Sequence, residues 1–386
     1  MRPRVTLIYL VAGEPSADVL GGRLMAALRQ DRPNLRFAGI GGPRMAEQGL
    51  VSLFPMRELT LIGFLEVVPR LLRLRSLLRQ VAADVRSHRP AVLVTIDSPG
   101  FTLRLLRALA GSGIARVHYV APQVWAWHES RVRRFPGLWD RLLCLLPFEP
   151  AFFARHGVPA HFVGHPVLES GAASGDAARF RTQHEIAPDA PVLVLMPGSR
   201  RGEVTRLLPI FASALRLLAA RVPNLVAAVA VAPAVAEAVQ QAVAEWSPPP
   251  LVLTGNDAKY DAFAAAACAL TKSGTSTLEL ALARVPMVVA YRVNPISAAI
   301  ARRVVKVRFA ALINLLAGRE VVPELLQADC TAERLATALY RLLTDPAAGA
   351  AQRSAFDEIV STLAPPGGTP SQAAAHAVLE LLPPTR

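Results

Sequence analysis

Two aspartates separated by a single residue occur nowhere in the chain. The D-x-D pair by which many sugar transferases hold a metal ion on their nucleotide is therefore absent, and no metal ligand set is expected. No G-x-x-x-x-G-K-[ST] loop occurs either, which argues against an ATPase. Cysteines are few. Cys144, Cys268 and Cys330 lie far apart, with neither the even count of a disulfide framework nor the close pairing of a zinc site, and they fit a reduced cytoplasmic compartment. Lysines are equally scarce: with only Lys259, Lys272 and Lys306, the formal net charge of +13 is carried almost wholly by arginine. That excess has two readings, an anionic partner such as nucleic acid, a lipid surface or a phosphorylated substrate, and the arginine bias of a GC-rich genome. Long apolar runs are missing too. Nothing approaches the roughly 18 uncharged apolar residues needed to cross a bilayer, and the run from Leu225 to Ala236 is broken by Pro233. Arginines before an apolar run mimic a signal peptide at the start, but the run from Val5 to Ala12 is short and ends in a Gly-Glu turn, so a first β-strand is expected there.

What is present is a chain of 386 residues with 52% apolar content, enough for two domains with a core each. Short runs of Val, Ile and Leu recur, each followed by a glycine or proline turn and a longer helical stretch, the rhythm of parallel strands with crossover helices in a doubly wound α/β sheet. Strands are expected at Thr6–Ala12, Arg36–Ile40, Ala91–Ile96, Arg116–Val120, Arg141–Leu145 and His161–Val163. A second series is expected at Val192–Met196, Val226–Ala232, Leu251–Thr254, Ala269–Thr271 and Met287–Tyr291. Between the series, Glu169 to Pro191 is rich in alanine, glycine and small polar residues and reads as a linker. Ala364-Pro-Pro-Gly-Gly-Thr-Pro370 then breaks the chain before a last helix, Ser371–Leu382. The expected division is 1–168, 169–364 and a terminal helix in 365–386.

Several turns carry chemistry. Gly13-Glu14-Pro-Ser16-Ala-Asp18, with Gly21 and Gly22 behind it, joins the first strand to a helix. Backbone amides and the helix dipole attract an anion there, while Ser16 or Asp18 would equally serve as a helix cap. The run AVLVTIDSPGF delivers Asp97 to the carboxyl end of a buried strand, where a carboxylate can act as general base towards a bound hydroxyl or cap the next helix. In HYVAPQVWAW, Trp125 and Trp127 stand beside Arg131, Arg133 and Arg134. These suit sugar faces and a phosphate, or a core and a solvated face. The second half holds the stronger signal. Ser199 and Arg200 of MPGSRRGE, and Thr275 of TKSGTSTLE, lie between a strand and a helix, with Glu279 one turn into the second helix. Two such loops, and a carboxylate able to take both hydroxyls of a ribose, describe a nucleoside diphosphate site.

At this point the residues resemble a family. GEPSAD, GIGGPRM, IDSPGF, HYVAPQVWAW, LPFE, FVGHP, PGSRRGE, SGTSTLE, PMVVAYR and NLLAGREVVPELLQ run in the order found in lipid-A-disaccharide synthases and span residues 13 to 327. The resemblance implies a GT-B glycosyltransferase fold, with two Rossmann-like domains facing a central cleft. The acceptor domain comes first, the donor domain second, and a terminal helix crosses back. It implies a metal-independent, inverting transfer without a cofactor, in which UDP-2,3-diacylglucosamine donates its sugar to 2,3-diacylglucosamine 1-phosphate. The products are a β-1,6-linked disaccharide and UDP. Position by position, Asp97 is the implied base, Ser199 and Arg200 hold the diphosphate, Thr275 adds a hydroxyl, Glu279 binds ribose, and Asn314 and Gln327 line the donor cleft. Gly13, Glu14, Ser16, Asp18, Trp125 and Trp127 fall in the acceptor loops. Three positions depart from the family pattern: Ala17 stands for a glycine, Gln123 for a serine and Ile313 for a proline. Alanine adopts a positive φ less cheaply than glycine, so the acceptor loop is expected to differ in detail at Ala17.

A water-insoluble substrate gives the arginines a role at the cytoplasmic face of the inner membrane. Leu59–Val81 and Ile296–Ile313 mix leucine, isoleucine and valine with Arg70, Arg73, Arg75, Arg302, Arg303, Lys306 and Arg308, a composition suited to peripheral contact with anionic head groups. A homodimer is compatible with the resemblance. Two rival readings are a GT-B enzyme acting on soluble UDP-N-acetylglucosamine, such as a 2-epimerase, and an arginine-rich nucleic-acid binder. No interleaving of basic and aromatic residues typical of a nucleic-acid module occurs, so nucleic acid is not an expected partner.

Overall fold

The computed structural model describes residues 6–60, 67–127, 129–294, 298, 305 and 307–382. Half of the basic apolar stretch Ile296–Ile313, with Arg302, Arg303 and Lys306, lies outside them, as do residues 61–66 and the Arg70 side chain of the stretch from Leu59 to Val81. The chain divides into two compact units, one made of residues through Pro166 together with Leu363 onward, the other of Val167–Thr362.

In the first unit six parallel strands form one sheet: β1 (Leu7–Ala12), β2 (Arg36–Ile40), β3 (Val92–Ile96), β4 (Ala115–Tyr119), β5 (Arg141–Cys144) and β6 (Ala160–Phe162). Their order is β2-β1-β3-β4-β5-β6. The strands are near-continuous Val, Ile and Leu because helices cover both faces of a parallel sheet; Ile8, Leu10, Val92 and Val94 are fully buried on one side, Tyr9, Val11 and Leu93 on the other. The connecting helices are α1 (Pro15–Asp31), α2 (Pro43–Glu47), α3 (Arg57–Thr60), α4 (Val67–His88), α5 (Pro99–Ala108), α6 (Val124–Trp127) and α7 (Glu149–Ala154). Leu74, Leu77, Val81 and Val85 of α4 enter the core at a spacing of three to four residues, while Arg73, Arg75 and Arg79 point to solvent. The apolar arc of this part of the stretch from Leu59 to Val81 thus faces the protein interior, and Leu72 is the exposed exception at 63%.

The last helix, Pro370–Leu379, opens with a complete capping box between Thr369 and Gln372. It packs on α1 through Ala374, Ala375 and Val378. Arg141 donates to the Ala377 carbonyl at 2.8 Å and pairs with Glu380, which fastens the helix to the foot of β5.

The second unit repeats the architecture with β7 (Val192–Met196), β8 (Val226–Val231), β9 (Leu251–Thr254), β10 (Cys268–Lys272), β11 (Met287–Tyr291) and β12 (Glu324–Leu326), ordered β12-β11-β10-β7-β8-β9. Counted from β7, that is the 3-2-1-4-5-6 order of a dinucleotide-binding sheet. Strand β12 was not expected: three half-buried residues at an edge carry too short a pattern to stand out. Helices α8 (Ala177–Gln183), α9 (Arg201–Ala219), α10 (Ala236–Val243), α11 (Asn256–Ala265) and α12 (Ser276–Leu282) flank this sheet.

The segment read as a linker is a packed part of this unit. Asp176 caps α8, Arg179 forms a two-pronged pair with Asp261 at 2.6 Å on each side, and Gly175 sits so close to α11 that an added Cβ would lie 1.9 Å from the Tyr260 carbonyl oxygen. Small polar residues here reflect close helix approach rather than a free chain. Among the described residues no helix is long and apolar enough to cross a membrane.

Candidate active site

In each sheet one pair of neighbouring strands marks where the strand order reverses, and the crevice at their carboxyl ends is where ligands bind in such folds. In the first sheet that pair is β1 and β3, whose ends carry Gly13 and Asp97. Asp97 and Ser98 are both left-handed, at φ 51° and 48°. This strained corner is held by the Asp97 N–H on the Tyr119 carbonyl at 2.9 Å and by the Thr102 hydroxyl, which donates to the Asp97 and Ser98 carbonyls at 2.8 and 3.0 Å. The corner turns a half-buried carboxyl out of the strand end. Burial pushes its pKa up, and the Ser98 N–H, donating to Oδ1 at 2.7 Å, pulls it partly back. Gly13 is required for contact: a Cβ there would lie 2.7 Å from Ser98 Oγ.

Glu14 and Ser16 are exposed at the N-terminus of α1, beside Pro15 in the first turn. The side chain of Glu14, the N-cap residue, makes no capping hydrogen bond to this end. Asp18, expected as an anion-loop or cap residue, is instead buried and serves another helix. Its Oδ1 accepts from Gly42 N at 2.7 Å and Met45 N at 3.1 Å, and its Oδ2 from Arg44 N at 2.9 Å, closing the N-terminus of α2. Gly21 and Gly22 admit α2 at close range, since a Cβ on either would strike Met45 Sδ at 2.5 Å or the Arg44 carbonyl at 2.9 Å. The GEPSAD and GIGGPRM motifs are thus largely one packing device. Ala17 lies inside α1, fully buried in helical backbone, so the substitution meets no positive φ. Ile313 likewise sits buried in the helix Leu312–Ala317, and Gln123 is exposed just before α6.

The two tryptophans separate. Trp127 is 52% exposed, whereas half-buried Trp125 gives its indole N–H to Glu149 Oε1 at 3.0 Å and meets Phe148 edge-on at 5.0 Å. Glu149, from the LPFE motif, was not singled out from sequence. Its Oε2 accepts from Leu145 N and Leu146 N at 3.1 and 3.0 Å, and burial raises its pKa to about 7 against the lowering effect of these donors. Arg131, Arg133 and Arg134 are exposed on a 3₁₀ turn after Trp127. His118 of the same motif is a core residue, stacked on Trp139 at 5.4 Å with its pKa lowered by burial to about 3.

In the second sheet the reversal falls between β7 and β10. After β7 come Gly198 at φ 117° and exposed Ser199 and Arg200, with Arg200 at the N-cap of α9. After β10 come Ser273, Gly274 and exposed Thr275, at the N-cap of α12. A buried-edge ion pair joins the two loops: Lys272 Nζ lies 3.0 Å from Glu203 Oε1, and Arg200 Nη1 approaches the same carboxylate at 3.7 Å. Neither Lys272 nor Glu203 was picked out by sequence reasoning, although both belong to the quoted runs.

Glu279 stands on α12 facing α11. Lys259 Nζ is 3.1 Å from both of its oxygens and the Tyr260 hydroxyl donates to Oε1 at 3.1 Å. One Oε2 lone pair remains most open, so a grip on both ribose hydroxyls requires Lys259 or Tyr260 to give way. Asn314 departs from expectation. It is fully buried, with Nδ2 donating to Val322 O and Glu324 Oε1 and Oδ1 accepting from Val321 N and Val322 N, at 2.7 to 2.9 Å throughout. All four of its hydrogen-bonding positions are filled internally, so it shapes the loop into β12 and offers nothing to a ligand. Gln327, at φ 52°, starts a 3₁₀ turn and accepts weakly from Val293 N at 3.4 Å.

Comparison with known proteins gives this geometry a lineage. The family model for lipid-A-disaccharide synthetase matches residues 8–366. The chain belongs to the lipid-A-disaccharide synthase family. The lipid-A-disaccharide synthase of Gluconobacter oxydans is 56% identical over 376 residues, covering 97% of this chain and 91% of that relative. That of Granulibacter bethesdensis is 54% identical, covering 97% and 98%. Membership in this family makes the chain a glycosyltransferase of lipid A biosynthesis. Solved structures are alike in fold alone. A putative UDP-N-acetylglucosamine 2-epimerase from Listeria monocytogenes superposes with a TM-score of 0.63 at 12% identity, covering 97% of this chain and 94% of that one. MurG from Acinetobacter baumannii gives 0.58 at 14% identity, covering 97% and 99%. The fold class is the GT-B form of α/β protein.

Proposed function

We propose that this synthase-family chain transfers 2,3-diacylglucosamine from its UDP derivative to 2,3-diacylglucosamine 1-phosphate in a single inverting displacement that needs no metal ion. The Asp97 carboxylate takes the proton from the acceptor 6-hydroxyl, the freed oxygen pair attacks the anomeric carbon, and the bond to UDP breaks as the β-1,6 link forms. A carboxyl whose proton affinity is raised by burial is a stronger base once ionised, which suits it to a hydroxyl. The departing diphosphate gains negative charge and is stabilised by Arg200, the Thr275 hydroxyl and the amides opening α9 and α12, with Ser199 beside them. Glu279 takes the ribose through its open oxygen, and Gln327 borders the same donor site.

The observation that carries this reading is the placement of Asp97. It is a half-buried, elevated carboxyl at the strand-order reversal of the first sheet, in a chain whose second sheet carries two loops opening into helices at its own reversal. Glu14, Ser16 and the exposed Trp127 border the acceptor side. The acyl chains of both substrates bring the protein to the cytoplasmic face of the inner membrane as a peripheral protein, and sedimentation with and without lipid measures both that association and any pairing of copies. The deciding experiment supplies purified protein with both diacylated substrates and a chelator. A disaccharide 1-phosphate product is expected, together with no turnover of unacylated UDP-N-acetylglucosamine. Absence of product, or product only after a divalent metal is restored, would overturn the proposal.

A further inference from the structure

We infer that Lys272, held by Glu203 across the two loops of the second unit, is a diphosphate-binding residue that shares with Arg200 the stabilisation of the departing nucleotide. The inference rests on the reading that this unit takes a UDP-sugar.

Lys272 is the last residue of β10, next to β7 at the strand-order reversal, so its side chain leaves the sheet at the carboxyl end where ligands sit. It is only 19% exposed, and its ammonium lies 5.7 Å from the centre of the Tyr291 ring. A lysine on a flexible stem is thereby fixed in one place. That place borders the Ser273-Gly274-Thr275 turn: a Cβ added to Gly274 would lie 3.6 Å from Lys272 Nζ. The ammonium therefore stands at the apex of the loop whose hydroxyls and amides open α12.

Charge in the cluster is unbalanced. Two cations, Lys272 and Arg200, approach the same oxygen of Glu203 at 3.0 and 3.7 Å. The other oxygen, Oε2, is buried with no hydrogen-bond partner among the described residues, beneath Gly198, where a Cβ would lie 2.6 Å from it. One carboxylate facing two cations leaves a net positive site, and the amide end of the 19-residue helix α9 adds to it. An ion pair serving stability alone needs one cation for one carboxylate. This arrangement instead parks the ammonium where a multiply charged anion entering between the loops meets Lys272 and Arg200 together. Glu203 then acts as a positioning residue that keeps the lysine extended before the ligand arrives.

The test measures binding of UDP and of uridine by calorimetry and ligand-observed NMR on the full chain. Lys272→Met is expected to weaken UDP by about tenfold or more, the scale of one charged hydrogen bond, while uridine binding stays as in the wild type. Lys272→Arg, which keeps the cation, is expected to restore UDP affinity to within a few-fold, and thermal unfolding reports whether each variant is folded. If UDP binds Lys272→Met as tightly as wild type, or if UDP and uridine weaken together, the lysine is structural and the inference fails. If Lys272→Met is folded and weak while Lys272→Arg is folded and equally weak, the charge is not what matters and the inference fails likewise. A wild-type chain that binds no UDP at all would instead sink the donor-site reading beneath it.

Discussion

Glu149 accepts the indole N–H of Trp125 with one oxygen and two backbone amides of the β5–α7 turn with the other. One buried carboxyl thus ties the Trp-Ala-Trp segment to the strand beside it. Its folded pKa, about 7, lies above the ordinary 4.5, so between those values the folded protein binds more protons than the unfolded chain. Stability supplied by this group is therefore largest at low pH and is lost as pH rises towards 7, at no more than about 1.4 kcal/mol per pH unit. Glu149→Gln cannot ionise, so the stability difference between wild type and variant should shrink as pH rises from 5 to 7. Denaturant unfolding at a series of pH values measures it, and a difference that is constant with pH would count against the assignment.

Asp97→Asn should leave UDP affinity unchanged and lower turnover by about a hundredfold or more, the usual share of general-base catalysis. Because burial raises the Asp97 pKa, the acid limb of kcat/KM in the wild type should fall above the usual carboxylate range, with activity lost as pH drops through it. A pH profile of both proteins tests the two statements together, since the variant should lose that limb.

Arg200 is 81% exposed and only loosely paired, so removing it disturbs little of the fold. Arg200→Ala should melt like the wild type and show its first defect in donor KM, by about tenfold. A fall in kcat with donor KM unchanged would mean that the guanidinium acts only in the transition state.

Asn314→Ala separates scaffold from ligand contact. Four internal hydrogen bonds are lost at a buried site, and the two amides and the carbonyl left without partners should cost about 2–4 kcal/mol of stability. Donor KM of the folded fraction, measured well below the melting transition, should be unchanged. A KM defect in a variant of normal stability would restore the ligand role that the family resemblance implies.

How far the sequence could be read depended on the length of the signal. Strands such as Val192–Met196 were legible because four consecutive buried residues and a half-buried fifth, all apolar, leave a pattern with no helical period. Strand β12 was not, since its three residues at a sheet edge are only half-buried. Asp97 was legible as a carboxylate at a strand end, whereas Asp18 looked similar and does something else, because what distinguishes them is whether backbone amides from a distant segment arrive to claim the oxygens. Gly21 and Gly22 had the look of an anion loop for the same reason: helix packing and ligand approach both need a missing side chain.

The sequence by itself determined the α/β class, the two series of parallel strands, the family and the loops that could meet a diphosphate, because apolar rhythm and turn residues are local properties of the chain. Only the tertiary structure decided which polar side chains are left over for chemistry. Asp18, Asn314 and Glu149 spend their hydrogen-bonding capacity on partners 3 to 27 residues away, and Lys272 and Glu203, nearly seventy residues apart in sequence, meet because β7 and β10 are neighbours in the sheet. Hydrogen-bond satisfaction is a property of three-dimensional neighbours, and no spacing along the chain records it.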